Sequence, residues 1–107
     1  METEEAILVL TTAGSRDEAA LIAASLVEPG LAACVQIVPE IESVYRWEGS
    51  VARETEWLLL CKTTSERYAD VERAIRSVHS YTTPEIVAVR IERGSSPYLE
   101  WLRRSVA

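Results

Sequence analysis

The feature that most constrains the fold is a long run of strict alternation. From Ala32 to Trp47, Ala33, Val35, Ile37, Ile41, Tyr45 and Trp47 share one parity, and Gln36, Glu40, Glu42 and Arg46 the other. Period-two alternation is a strand with one wet face. At about 3.3 Å per residue, roughly 16 residues reach about 50 Å. Glu48-Gly49-Ser50 is a tight turn, and Val51 to Thr64 reads as the return strand. Its second half, Trp57-Leu58-Leu59-Leu60-Cys61, is apolar on both faces and suits a central position. Pro39 cannot donate to a ladder, so the first arm lies at an edge or bulges there. The alternative is that Pro39 breaks the strand and the tip folds back.

The remaining elements arrange themselves around this hairpin. Ala6 to Thr12 is a short apolar run of strand formers. Ser15-Arg16-Asp17-Glu18 fits a capping box, with Ser15 as cap and Glu18 reaching back. Ala19, Ile22, Ala23, Leu26 and Val27 then form a helical stripe that Pro29-Gly30 ends. After the hairpin, Thr64 or Ser65 caps a second helix with a stripe of Tyr68, Val71, Ile75 and Val78. A loop from His79 to Pro84 leads into a strand from Glu85 to Ile91. Ser96 and Pro97 open a short terminal helix carrying Tyr98, Trp101 and Leu102.

The order β-α-β-β-α-β plus a helix predicts an α+β fold. It is the ferredoxin-like βαββαβ antiparallel sandwich, with a long β-hairpin and a short C-terminal helix. The first and third strands are expected at its centre. The 107 residues form one domain, 1–107. A first helix of about 13 residues covers only about 20 Å, so the hairpin tip with Tyr45, Trp47 and Trp57 is left bare. Exposed aromatics on an extended ribbon mark an interface, so an obligate homo-oligomer is expected.

Charge narrows the partners. The formal net charge is −6, and the 11 basic residues are ten arginines and Lys62. Without a basic cluster the chain is a poor nucleic-acid binder. No apolar run is long enough for a membrane helix. The acidic start, Met1-Glu2-Thr3-Glu4-Glu5, is unlike a signal or transit peptide, so a cytoplasmic location is expected. Cys34 and Cys61 lack CxxC spacing and read as two buried thiols in a reducing compartment.

Five segments carry a family resemblance. They are Leu31-Ala32-Ala33-Cys34-Val35 with Ile37-Val38-Pro39, Tyr45-Arg46-Trp47-Glu48-Gly49, Lys62-Thr63-Thr64, His79 to Ile86, and Pro97 to Leu102. In this order and spacing they resemble the CutA family of divalent-cation tolerance proteins, over positions 6 to 102. The resemblance implies a ferredoxin-like homotrimer, similar in architecture to PII signalling proteins. It also implies a role in metal tolerance, with copper and other divalent cations as ligands. Some members carry a Cys at the end of the first strand and a second His beside the first. Those positions here are Thr11 and Val78.

Candidate residues follow from chemistry. His79, the sole histidine, is either a turn-fixing residue or a metal ligand for Cu(II) or another divalent cation. As a ligand it needs partners such as Cys34, Cys61, Glu85 or an acid from another chain. Cys34 is a buried thiol or a thiolate ligand. Lys62, Tyr81 and Glu85 either line an interface cleft for an anionic small molecule, or Lys62 and Glu85 form a surface ion pair.

Three functional classes compete. The first is a non-enzymatic trimer that binds divalent cations in the response to metal ions. The second is a PII-like regulator with a metabolite in an interface cleft. The third, a ferredoxin-like enzyme, is disfavoured. An acylphosphatase needs an Asn and the chain has none, and no nucleophile–base pair is visible.

Overall fold

A computed structural model of the protein describes residues 4–107; the acidic start up to Thr3 lies outside them. The order is β1 (Ala6–Ala13), α1 (Arg16–Val27), β2 (Cys34–Trp47), β3 (Ser50–Thr64), α2 (Tyr68–Val78), β4 (Ile86–Arg90) and α3 (Ser96–Ser105). The four strands make one antiparallel sheet in the order β2-β3-β1-β4. β1 and β3 are central, as their apolar runs require.

Register assigns the faces. Ile7, Val9, Thr11 and Ala13 of β1 stand opposite Thr63, Cys61, Leu59 and Trp57 of β3. This inner face meets Ile22 and Leu26 of α1 and Val71 and Ile75 of α2, which are fully buried. The other face carries Leu8, Leu10, Leu58 and Leu60, with Val38, Val87 and Val89 exposed on it. α3 crosses only one end of that face, where Leu102 is buried and Tyr98 meets Lys62. Most of an apolar sheet face is therefore left open.

The hairpin spans the molecule. β2 has 14 residues, β3 has 15, and the longest dimension is 49 Å. Its turn holds Glu48 at φ 47° and Gly49 at φ 80°, both left-handed, as the two-residue turn matching strand twist demands. The accessible surface is 6890 Å², whereas a globular chain of this mass exposes about 5,900 Å². The ribbon accounts for an excess of this kind.

Pro39 neither breaks the strand nor lets the tip fold back. Val38 pairs with Leu58 and Ile41 with Glu56, so Pro39 and Glu40 together oppose Trp57. Glu40 takes φ 55° to fit this bulge. The extra residue inverts parity. Val35 and Ile37 stand with Leu59 and Cys61 on the inner face, but Ile41 and Tyr45 fall on the face of Glu56 and Leu58. The single continuous face expected from Ala33 to Trp47 is thus two half-faces on opposite sides. Trp57 likewise faces away from Trp47 and packs against the core, so it is not part of a bare tip.

Smaller differences concern caps. Ser15 accepts from the Glu18 N–H at 3.1 Å as expected, but Glu18 reaches back to the Gly14 N–H, not that of Ser15. Neither Thr64 nor Ser65 caps α2, because a single 3-10 turn, Ser65–Arg67, leads into it. Ser95, one position before the expected Ser96, stands at the N-cap position of α3 but makes no side-chain capping hydrogen bond. Cys34 is half-buried on the open face, while Cys61 is buried on the inner one, so the two cannot bridge.

Two substitutions test this packing. A Cβ on Gly49 meets no atom within 4 Å, so Gly49→Ala should cost about 1 kcal/mol from backbone conformation alone. The Thr11 hydroxyl is buried without a partner among the described residues, so Thr11→Val should raise stability by about 1 kcal/mol. Urea midpoints at fixed protein concentration measure both.

Candidate functional site

The loop after α2 is built on His79. The backbone N–H of His79 closes the helix on the Ile75 carbonyl. Its Nε2 lies 2.6 Å from the Thr12 carbonyl oxygen, and its Nδ1 accepts from the Tyr81 N–H at 3.0 Å. A carbonyl can only accept and an amide N–H can only donate. The ring is therefore the Nε2–H tautomer, with both nitrogens committed. It is a strut between β1 and the loop, and no lone pair is left for a metal.

Glu18 is the second anchor. Its Oε2 accepts from the Ser80 N–H at 2.7 Å, while its Oε1 accepts from Gly14. Burial pushes its carboxyl up, but the hydrogen bonds from Ser80 and Gly14 outweigh this and hold the pKa below the ordinary glutamate value. The helix cap and the loop thus share one carboxylate.

These two anchors place Tyr81 over the base of the hairpin. Its hydroxyl donates to Glu56 Oε2 at 2.9 Å, and its ring lies 4.7 Å from that of His79. Burial and the neighbouring Glu56 carboxylate push the phenol well above its usual range. Glu56 is only 7% exposed. Loop and ribbon line a solvent-open cavity of about 670 Å³, whose walls include Tyr45, Trp47, Glu54, Glu56, Tyr81 and Glu85. Burial, with Glu54 alongside, also raises the pKa of the Tyr45 phenol.

The other candidates lie elsewhere. Lys62 Nζ donates to the Tyr98 hydroxyl at 3.1 Å and sits 5.2 Å from that ring's centroid. That hydroxyl keeps the lysine's pKa above its ordinary value. Cys34 Sγ lies 3.8 Å from the same hydroxyl. Along β3, Lys62 lies six positions beyond Glu56, about 20 Å away. One chain therefore does not gather Lys62, Tyr81 and Glu85 into a cleft, nor pair Lys62 with Glu85. Cys34 is level with Leu8, whereas His79 bonds at Thr12, two strands away. That is about 13 Å along the strands alone, so Cys34 and His79 do not converge. Among the described residues no three His, Cys, Asp or Glu side chains are grouped to hold a metal. Burial pushes the Cys61 thiol up to about 12, which makes it a core group and not a thiolate.

Glu54 and Glu56 do not stand out in the sequence. Arg53-Glu54-Thr55-Glu56 is polar at every position and reads as solvated ribbon. The burial of Glu56 comes from Tyr81, 25 residues away. Only its place next to the apolar run beginning at Trp57 hints at it.

Sheet order, helices and projecting ribbon define a ferredoxin-like α+β protein of the extended-hairpin kind. The family described as "CutA1 divalent ion tolerance protein" matches residues 7–105, and the chain belongs to it. It is 47% identical to the divalent-cation tolerance protein CutA of Thermus thermophilus over 98 residues, 92% of this chain and 95% of that protein. It resembles the crystal structure of CutA1 from Oryza sativa with a TM-score of 0.95 at 39% identity, covering 98% and 96% of the two chains. It also resembles the protein described as periplasmic divalent cation tolerance protein CutA from Archaeoglobus fulgidus, with a TM-score of 0.92 at 43% identity over 95% and 99%. No helix among the described residues is long and apolar enough to cross a membrane.

Two outcomes are expected from this geometry. Tyr81→Phe leaves the buried Glu56 carboxylate without its donor and should cost about 1–3 kcal/mol in denaturant unfolding. Glu18 has a depressed folded pKa, so its stabilisation is present above the unfolded value of about 4.3 and is lost as pH falls through the folded one. Glu18→Gln should therefore melt lower than the parent at neutral pH, by less than about 1 kcal/mol, and converge with it in acid.

Proposed function

We propose that this protein acts as a homotrimer in the response to divalent metal ions, as a non-catalytic CutA-type tolerance protein that binds copper or another divalent cation. Family membership over residues 7–105 carries the metal reading. The trimer is supported by the open apolar face, where Val87 and Val89 are about half exposed, and by the bare ribbon with Tyr45 and Trp47. On this reading these faces meet around a threefold axis, and Tyr45 and Trp47 pack toward a neighbour. The proposed compartment is the cytoplasm, which suits two free thiols on opposite faces of the sheet.

Metal ligation is assigned to the assembly, not to one chain. Glu85 is exposed and free to ligate. His79 would have to surrender the Tyr81 N–H first, and Cys34 would have to be brought in from another copy. The second reading, a PII-like trimer that binds a small molecule, is favoured by the cavity beneath Tyr81.

Two measurements test the proposal. Light scattering at low micromolar concentration should give three times the chain mass, and a monomer would overturn the assembly. Calorimetric titration with Cu(II) and Zn(II) should show binding that His79→Ala weakens. Equal binding by both proteins would remove His79 from the site.

A further inference from the structure

Among the described residues α3 is the one helix on the open sheet face, where it touches β3 and β1. Little holds it there. It has 10 residues, Ser95 at its N-cap position makes no side-chain hydrogen bond, and Leu102 is its one buried side chain. A helix this short is marginal in water unless it is docked. The end of the sheet that it covers is poorly satisfied. Thr64 shares the face of Lys62 by parity, and its hydroxyl is buried without a partner among the described residues. Closing over an unpaired hydroxyl offsets part of what the burial of Leu102 contributes. Lys62 reaches the neutral Tyr98 hydroxyl and pairs with no carboxylate among those residues.

The helix is fastened at its far end. The Arg67 Nε–H donates to the Ala107 carbonyl at 2.6 Å, and the Ala107 N–H donates to the Gly30 carbonyl at 2.8 Å. Gly30 permits this approach, because a Cβ there would lie 2.9 Å from that of Ala107. In the last turn, Arg103 Nε–H donates to the Glu4 carbonyl at 2.7 Å. At the other end, residues 91–95 carry no regular structure, and Glu92 to Ser95 are exposed. A loop that can bend thus precedes the helix, and a clasp follows it. We propose that α3 is a hinged lid, which opens on residues 91–95 as a unit while the sandwich stays folded, and that the Arg67–Ala107–Gly30 clasp sets how often it opens. Opening bares the Lys62 ammonium and the apolar seat of Leu102 and gives the Thr64 hydroxyl to water. The lid goes beyond the metal response and does not rest on it.

Hydrogen exchange of the full chain in its native assembly, read by peptide mass spectrometry at neutral pH, tests this. The amides of Leu99 to Val106 should exchange at least about tenfold faster than those of β1, which open only with the whole sandwich. Arg67→Ala removes the charged donor to Ala107 and should speed the α3 amides by about tenfold, and by more than those of β1. Asp70→Asn breaks the Arg67–Asp70 ion pair, 3.2 Å in the parent, but spares the Nε donor, so α3 should exchange as in the parent. If Arg67→Ala fails to fold, Ala107→Pro removes the N–H to Gly30 and should speed the same amides severalfold.

Three results would overturn the proposal. One is an α3 that exchanges no faster than β1, which would make its release part of global unfolding. Another is an equal change in α3 and β1 in Arg67→Ala, or in Ala107→Pro where that variant replaces it. The third is Asp70→Asn acting as strongly as Arg67→Ala, which would place the effect in α2 and not in the clasp.

Discussion

The structure depends on the double pairing of β3. From Trp57 to Thr64 this strand bonds to β1 on one side and to β2 over most of the same stretch on the other. From Ser50 to Glu56 it bonds to β2 alone. The first stretch fixes the sandwich and hides Leu59 and Cys61 beneath two helices. The second has no cover of its own and becomes the ribbon. The boundary falls between Glu56 and Trp57, which is where the cavity lies. The site sits where sheet becomes ribbon because only there can a loop close over a strand that no helix covers.

That loop is held by two side-chain contacts that bridge segments far apart in the chain. His79 and Glu18 each satisfy two backbone groups, so β1, the start of α1 and the loop are tied together. Tyr81 is thereby positioned from behind, and its hydroxyl is left to set the environment of Glu56. The loop and the base of the hairpin thus form one acid-aromatic region. Within one chain, the histidine that attracts attention in the sequence is a strut between β1 and the loop.

The fold was largely legible in the sequence because its signals are local. Ser15 before the stripe of Ala19, Ile22 and Leu26, the turn at Glu48-Gly49 and the doubly apolar run of β3 each act within a few residues. The site was less legible because its parts are distant in the chain. Tyr81 and Glu85 were visible as candidates, but Glu56 looks like a solvated ribbon residue until Tyr81 is placed upon it. Lys62 and Cys34 were visible too, yet their partner is Tyr98 on the last helix, a pairing that no spacing encodes. The alternation from Ala33 to Trp47 misled for one reason: a bulge inserts a residue without changing composition.

That bulge gives the hairpin a grammar of insertion and deletion. Beyond Glu40 the side chains are assigned to faces by parity, counted from a fixed anchor at Val38. Gaining or losing one residue between positions 41 and 47 exchanges the two faces, whereas gaining or losing two lengthens or shortens the ribbon and keeps them. Length variants of this arm should therefore be tolerated in steps of two residues. An odd step there would be tolerated only with a second odd step nearby, such as loss of the bulge itself.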